Sequence, residues 1–157
     1  MNNFKNEFLR YSYLKNPEQG LTLVELLVVI FIIGILSAIA LPSFLKQVNK
    51  AKGVEATVRI KNFITAERNY YLENSVFTDD ASNLNYSLET ENYRYLILLF
   101  DGRQIVIHVA IPKKPGLQYH GGGVYFRNGI DYPCGPLSTS NPTIPAIVAL
   151  VRSSCQF

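Results

Sequence analysis

The chain changes its pattern of apolar and polar residues at Pro42. Residues 21–41 are apolar almost without interruption, and only Thr22 and Glu25 are poorly suited to lipid. A helix of these 21 residues would be about 31 Å long, close to the thickness of the hydrocarbon core of a bilayer. The pattern therefore predicts either a transmembrane helix or the apolar part of a secretory signal.

Residues 42–75 continue with an amphipathic pattern, in which apolar residues recur at steps of three or four with charged residues between them. The apolar positions are Phe44, Leu45, Val48, Ala51, Val54, Val58, Phe63, Ile64 and either Tyr70 or Tyr71. We predict one long helix over residues 21–74, whose second half lies on a head domain. Pro42 removes one internal hydrogen bond and is expected to kink this helix.

Residues 76–157 form the predicted head, and most of it consists of two β-hairpins. The predicted strands are residues 93–100, 103–111, 124–127 and 130–132. The pairs Asp101-Gly102 and Asn128-Gly129 are typical of the tight turns that join antiparallel strands. In the second strand, isoleucine and valine at the odd positions from 105 to 111 alternate against Gln104, Val106, His108 and Ala110.

The predicted fold class is α+β, with an antiparallel sheet of about four strands packed on the long helix. Near the end of the chain, Thr143 is a good helix cap and Pro145 suits a first turn, so a short helix to about Arg152 is expected. A last strand is the alternative for this segment. The polar residues 78–92 are predicted to form a solvated connecting loop, since their carboxylates lack the regular spacing of a calcium site.

Composition and motifs argue against an enzyme. The formal net charge is only +3, without the clustered basic surplus of a nucleic-acid binder, so DNA binding is possible but unsupported. His108 and His120 do not combine with the two cysteines in any metal-binding spacing. The run Gly121-Gly122-Gly123 lacks the lysine and helix start of a phosphate loop, which favours a flexible turn or close packing. We expect no catalytic residues, no metal and no cofactor.

The first residues of the chain carry the most specific motif. A polar segment, residues 1–20, ends at Gly20, which is followed by L-T-L-V-E-L-L-V-V-I and, 22 residues later, by Pro42. This arrangement resembles that of type IV prepilins, the family that also includes the pseudopilins of type II secretion. The resemblance implies that a prepilin peptidase cuts the leader between Gly20 and Leu21 on the cytoplasmic side and then methylates Leu21. Phenylalanine is commoner than leucine at the first mature position.

Glu25 needs a partner if the segment lies in lipid, because a charge deep in a bilayer costs on the order of 3 kcal/mol. The resemblance implies that Glu25 pairs with the free amine of Leu21 in a neighbouring subunit. Such a buried pair fixes the axial stagger of the helices more than it adds strength. The alternative is an acid that is satisfied within its own helix or that faces the lipid headgroups.

The resemblance also bears on Cys134 and Cys155, since many type IV pilins bridge their C-terminal segment with a disulfide. The alternative is two unpaired buried thiols. More basic residues follow the apolar segment than precede it, which by simple counting would place the head in the cytoplasm. We set this count aside, because a large folded domain is translocated regardless of charge and a disulfide suits an extracytoplasmic head.

The resemblance implies a structural protein, the subunit of a type IV pilus. The precursor would be held in the inner membrane with its head outside, and the mature chain would form a homopolymer or mixed pilus fibre outside the cell. Its partners would be the prepilin peptidase and the inner-membrane pilus assembly machinery. The alternatives are a minor pilin or a pseudopilin of secretion or DNA uptake, and a secreted binding domain released by cleavage after Ala40.

Overall fold

A computed structural model describes residues 22–156 of the chain. The predictions made for Gly20 and Leu21 therefore lie outside the described residues. The chain divides into two compact units, the first ending at Pro42 and the second covering residues 43–157.

The first unit contains the beginning of helix α1, which extends over Leu23–Asn74 and includes Pro42 without interruption of the helix. Every described residue of this unit is exposed, including large apolar side chains such as Leu23 and Phe31, which are 78% and 66% exposed. By length and composition, α1 is a helix that is able to cross a membrane. These apolar side chains are not buried by any other part of the described residues 22–156.

The second unit is the head, in which the rest of α1 packs on a four-stranded sheet. Its strands are β1 (Tyr93–Phe100), β2 (Ile105–Pro112), β3 (Tyr119–Arg127) and β4 (Ile130–Thr139), followed by helix α2 (Ile144–Cys155). The sheet is antiparallel throughout, with the strands in chain order. This architecture confirms the predicted α+β fold.

The sheet is covered by a helix on each face, which the strand pattern did not predict. Val106 and Ala110 of β2 share one core cluster with Ile60 and Phe63 of α1. The alternate residues of β2, Ile107 and Val109, share a second cluster with Ile147 and Val151 of α2. The alternation along this strand thus separates two buried faces, and it does not separate a buried face from a solvent face.

The buried stripe of α1 differs from the predicted one. Val54 and Val58 were predicted to pack on the head, but they are 55% and 50% exposed. The buried positions of α1 are Gly53, Ala56, Ile60, Phe63, Ile64 and Glu67. The small residues at 53 and 56 allow the helix to approach the sheet closely, and a Cβ at Gly53 would lie 3.2 Å from His120 Nε2. Periodicity of large apolar residues does not detect a contact made by small ones.

The run Gly121-Gly122-Gly123 lies inside β3, so the predicted turn there is wrong and the predicted close packing is confirmed. A Cβ at Gly123 would lie 2.3 Å from the carbonyl oxygen of Val106, and a Cβ at Gly121 would lie 2.7 Å from Ile147 Cγ1. A side chain at either position would overlap with atoms of the neighbouring strand or of α2, so only glycine fits there. Because the glycines belong to the strand, β3 is longer than the predicted 124–127, and β4 also extends beyond the predicted 130–132.

The two connections within the hairpins differ. Asn128 and Gly129 join β3 to β4 with positive φ angles of 53° and 78°, as expected for an Asn-Gly turn. Asp101-Gly102, predicted as a two-residue turn, instead belongs to a short 3₁₀ helix, Asp101–Arg103, so β2 starts at Ile105 and not at residue 103. Thr143 caps α2, its hydroxyl accepting a hydrogen bond from Ala146 N, and the alternative of a last strand is wrong.

Candidate assembly and processing site

Glu25 is held at the start of α1 by reciprocal hydrogen bonds with Thr22. Its Oε2 accepts from the backbone N and from the hydroxyl of Thr22, both at 2.8 Å, while Glu25 N donates to Thr22 Oγ1 at 3.2 Å. This is a capping box, in which the first turn of a helix satisfies its own free N–H groups. The spacing Thr-x-x-Glu in the sequence is the signal for it, and our sequence analysis did not use it. Within the described residues, Glu25 Oε1 has no hydrogen bond.

The other predicted assembly residue, Pro42, is internal to α1 and is the last residue of the first unit. The kink expected there remains a prediction. Gly20 and Leu21, the predicted processing residues, precede the described part of the chain, so cleavage between them remains a prediction from the sequence.

Cys134 and Cys155 form a disulfide, as predicted, with their Cα atoms 5.6 Å apart. Cys134 lies in β4 and Cys155 is the last residue of α2, so the bridge ties the C-terminal helix to an edge strand of the sheet. Only 21 positions separate the two cysteines along the chain. The bridge therefore secures the helix that covers the second face of the sheet.

The head also contains a buried acid that the sequence analysis missed. Glu67 of α1 and His108 of β2 are both fully buried, with Glu67 Oε1 3.8 Å from His108 Nε2. The imidazole stacks on the ring of Phe63 with the ring centroids 5.1 Å apart, and neither of its nitrogens has a hydrogen-bond partner within the described residues. Burial raises the pKa of Glu67 to about 7 and lowers the pKa of His108 to about 3. Between about pH 3 and pH 7, both groups are therefore neutral.

Glu67 connects α1 to the loop that follows it. Its Oε2 accepts a hydrogen bond from Thr78 N at 3.2 Å. The hydroxyl of Thr78 in turn accepts from Asp80 N at 3.1 Å and from Asn83 Nδ2 at 3.2 Å. The position of Glu67, four residues after Phe63 and seven after Ile60, is the sequence signal that places it on the buried stripe.

Three acidic residues of the connecting loop form ion pairs with basic residues. Asp79 pairs with Arg103, Glu89 with Lys113 and Arg94, and Glu91 with Lys114. Within residues 22–156, no group of three or more histidine, cysteine or acidic side chains is arranged to hold a metal ion. His120 lies in β3, with its Nδ1 3.4 Å from the hydroxyl of Thr57.

Comparison with known families agrees with this arrangement. The prokaryotic N-terminal methylation motif matches residues 15–41, and the family described as type IV pilin-like G and H matches residues 54–134, just over half of the chain. The chain belongs to the type IV pilin-like family. The methylation motif of this pilin-like chain covers Gly20, Leu21 and Glu25, and the family match covers the second half of α1 and most of the sheet.

Curated relatives of this pilin-like chain are named as pilus proteins. The type IV major pilin protein PilA of Myxococcus xanthus is 36% identical over 90 residues, which are 57% of this chain and 41% of PilA. The type IV major pilin protein PilE of Neisseria gonorrhoeae is 36% identical over 66 residues, 42% of this chain and 40% of PilE. The fimbrial protein EcpC of Eikenella corrodens is 40% identical over 67 residues, 43% of this chain and 44% of EcpC. The chain thus spans less than half of the length of these relatives.

Proposed function

We propose that the protein is a structural subunit of a type IV pilus, made as a prepilin and polymerised through the first half of α1. The observation that carries this proposal is the order of three features in one chain. A methylation motif covers residues 15–41, the apolar part of α1 is exposed throughout residues 23–42, and a pilin-like head follows at residues 54–134. Relatives with related sequences are named major pilins, which supports the same role here.

Processing is proposed to take place between Gly20 and Leu21, followed by methylation of Leu21. A prepilin peptidase would act on the cytoplasmic side while the apolar segment holds the precursor in the inner membrane. The disulfide between Cys134 and Cys155 supports a head outside the cytoplasm, because such bonds persist in oxidising compartments. The mature chain would then pass through the inner-membrane assembly machinery into an extracellular fibre.

Glu25 is proposed to pair with the Leu21 amine of a neighbouring subunit in the fibre. The capping box supports this role in one respect. Thr22 engages only Oε2 of the carboxylate, and Oε1 of this exposed residue has no hydrogen bond within the described residues. The carboxylate is thereby held in a defined position at the start of the helix, with one oxygen available to a cation. The same hydrogen bonds satisfy the acid in a subunit that has not yet assembled.

The proposal is tested by isolating surface filaments by shearing and identifying their protein. We expect this chain in the sheared fraction, and we expect filaments to disappear when its gene is deleted. An abundance close to that of the main fibre protein would indicate a major subunit, and a trace amount would indicate a minor one. A soluble head that starts at Leu41 and is found only in the medium would contradict the proposal.

A further inference from the structure

A groove whose surface is mostly apolar but which carries several polar side chains lies within the second unit, between the part of α1 that follows Pro42 and the sheet. It has a volume of about 460 Å³. The residues that line it include Lys46, Lys50 and Thr57 from α1, and Gln118, His120 and Ser138 from the opposite side. Asn49 of α1 also lines the groove, so two cations, two hydroxyl groups and two amides face one concave space, which is a suitable set of donors for a phosphate group.

The positive charge of this groove is uncompensated. No acidic side chain lines it, and neither Lys46 nor Lys50 belongs to any ion pair within residues 22–156. Lys113 and Lys114, by contrast, both pair with glutamates. Charges that are concentrated in a concave site and not neutralised attract an anion.

The floor of the groove is built by close packing of α1 on β3. His120 is only 7% exposed, and its Nδ1 lies near the Thr57 hydroxyl while its Nε2 lies against Gly53 without a hydrogen-bond partner within the described residues. Burial lowers the pKa of His120, so its ring is neutral and the charge of the groove comes from the lysines. The groove is therefore a defined feature of the fold with its cations at the rim.

The sequence position of the lysines indicates the source of the anion. Lys46 is the fifth residue after Leu41, where the apolar segment ends. A helix rises by 1.5 Å per residue, so five residues correspond to about 7 Å, the depth of the headgroup layer on one side of a bilayer. A lysine at this distance from a membrane-spanning segment meets lipid phosphates first.

We propose that this groove binds the phosphate of an anionic phospholipid headgroup while the subunit is held in the membrane. The proposal rests on the proposed function only in requiring that residues 21–41 span a bilayer. A nucleic acid fits the groove less well, because nucleic-acid binding draws its strength from many phosphates along an extended basic surface, and here two lysines converge on one site. The bound lipid would fix the depth of the unassembled subunit in the bilayer.

The test uses the full chain, purified in detergent and mixed with phosphatidylglycerol or phosphatidylcholine, with retained lipid measured by native mass spectrometry. We expect preferential retention of phosphatidylglycerol. Lys46→Ala and Lys50→Ala should each weaken it about fivefold, since a lysine near a lipid surface contributes about 1 kcal/mol. Lys61→Ala is the matched control, because Lys61 is exposed on the same helix but does not line the groove. Gln118→Glu, which adds a negative charge at the exposed rim, should also weaken retention.

Several outcomes would overturn the proposal. Equal losses for Lys61→Ala and Lys50→Ala would show a nonspecific charge effect. Inorganic phosphate that binds as tightly as phosphatidylglycerol would show a phosphate site without lipid preference, and an oligonucleotide that binds with the same lysine dependence in place of the lipid would show a nucleic-acid site.

Insertion of the chain into membranes is measured separately. A chain that does not insert contradicts the proposed function, whereas an inserted chain without lysine-dependent retention contradicts only the lipid site.

Discussion

The two units of the chain use apolar side chains in opposite ways. In the first unit every described residue is exposed, so no part of residues 22–156 buries the apolar side chains there. In the second unit, residues such as Ile60, Phe63 and Val106 are fully buried in a core that the chain builds for itself. The comparison teaches that the first unit leaves its apolar surface available to lipid or other chains, as the proposed function requires, while the second unit encodes a fold.

The same contrast holds for two glutamates of α1. Glu25 is exposed and bonded to Thr22 at the start of the helix, so it is available to a partner outside the chain. Glu67 is fully buried beside His108 and bonded to Thr78, so it acts only within the head. Substitutions in the first unit should therefore change assembly without changing the fold of the head, and substitutions in the second unit should change stability.

The largest effect is expected for removal of the Glu25 charge. Glu25→Ala and Glu25→Gln should each reduce the amount of sheared fibre more than about tenfold, because the amine of the neighbouring Leu21 would be buried without a counter-charge. Glutamine retains the capping box, so the pair of variants separates capping from ion pairing. The measurement is the fibre yield at equal expression.

The control for this experiment is Glu73→Ala, which removes a negative charge from an exposed position of α1 in the second unit. It should leave the fibre yield unchanged. If Glu25→Gln assembles as well as the wild type while Glu25→Ala does not, capping is the requirement and the proposed pairing is wrong.

Loss of the disulfide should destabilise the head by about 3 kcal/mol, the amount expected for a closed loop of this length. We expect Cys134→Ala combined with Cys155→Ala to lower the free energy of unfolding, measured by denaturant titration of the full chain in detergent. A reducing agent should destabilise the wild-type protein by the same amount. The same agent should not change the stability of the double variant, which has no disulfide to reduce. A double variant as stable as the oxidised protein would show that the bridge contributes nothing.

The dependence of head stability on pH should come mainly from Glu67 and His108. Because the pKa of Glu67 is raised to about 7, the stability that this group contributes to the folded head is complete below pH 4.5 and is lost as the pH rises towards 7. Because the pKa of His108 is lowered to about 3, the stability that this group contributes to the folded head is complete above pH 6.5 and is lost as the pH falls towards 3. The two trends oppose each other between pH 4.5 and 6.5, so the wild-type curve should be flattened there.

Glu67→Gln should remove the pH dependence of stability that comes from Glu67 and leave the pH dependence that comes from His108. The stability of this variant is expected to rise with pH up to about 6.5, where the unfolded imidazole loses its charge, and then to stay constant. Relative to the variant, the wild type should lose about 3 kcal/mol between pH 4.5 and 7. Denaturant titrations at a series of pH values measure this difference, and parallel curves for the two proteins would contradict the assignment.

The smallest effect is expected for an added methyl group, and it compares the two units directly. Gly123→Ala should destabilise the head by about 1–3 kcal/mol, since its Cβ would lie 2.3 Å from the Val106 carbonyl oxygen. At Gly34 in the first unit, nothing beyond the adjacent residues and the surrounding helix backbone lies within 4 Å of an added Cβ in the described residues, so Gly34→Ala should leave the thermal unfolding of the full chain unchanged. Equal unfolding temperatures for the two variants would contradict the packing described for β3.

Much of the fold could be predicted because it rests on local signals. The length of α1 follows from an uninterrupted helical pattern, the β3–β4 turn from Asn128-Gly129, and the start of α2 from Thr143. The resemblance to prepilins supplied the disulfide between Cys134 and Cys155, which no spacing in the sequence requires.

What could not be predicted depends on contacts between distant segments. The glycines of β3 resemble a turn in sequence, and only the proximity of Val106 and Ile147 explains why a strand needs them. The burial of Glu67 depends in the same way on a strand that lies some forty residues later in the chain. The capping box at Thr22 and Glu25 is a local signal, and it was missed because a role in assembly offered a competing explanation for the acid.

The most direct test of the account is the mass of the N-terminal peptide of the protein in purified filaments. The account predicts a peptide that begins at Leu21 and carries one additional methyl group on its amine, which would place a cation where Glu25 of a neighbouring subunit can reach it. Filaments whose subunits still begin with residues 1–20 would contradict the account, because no free amine would then exist at Leu21.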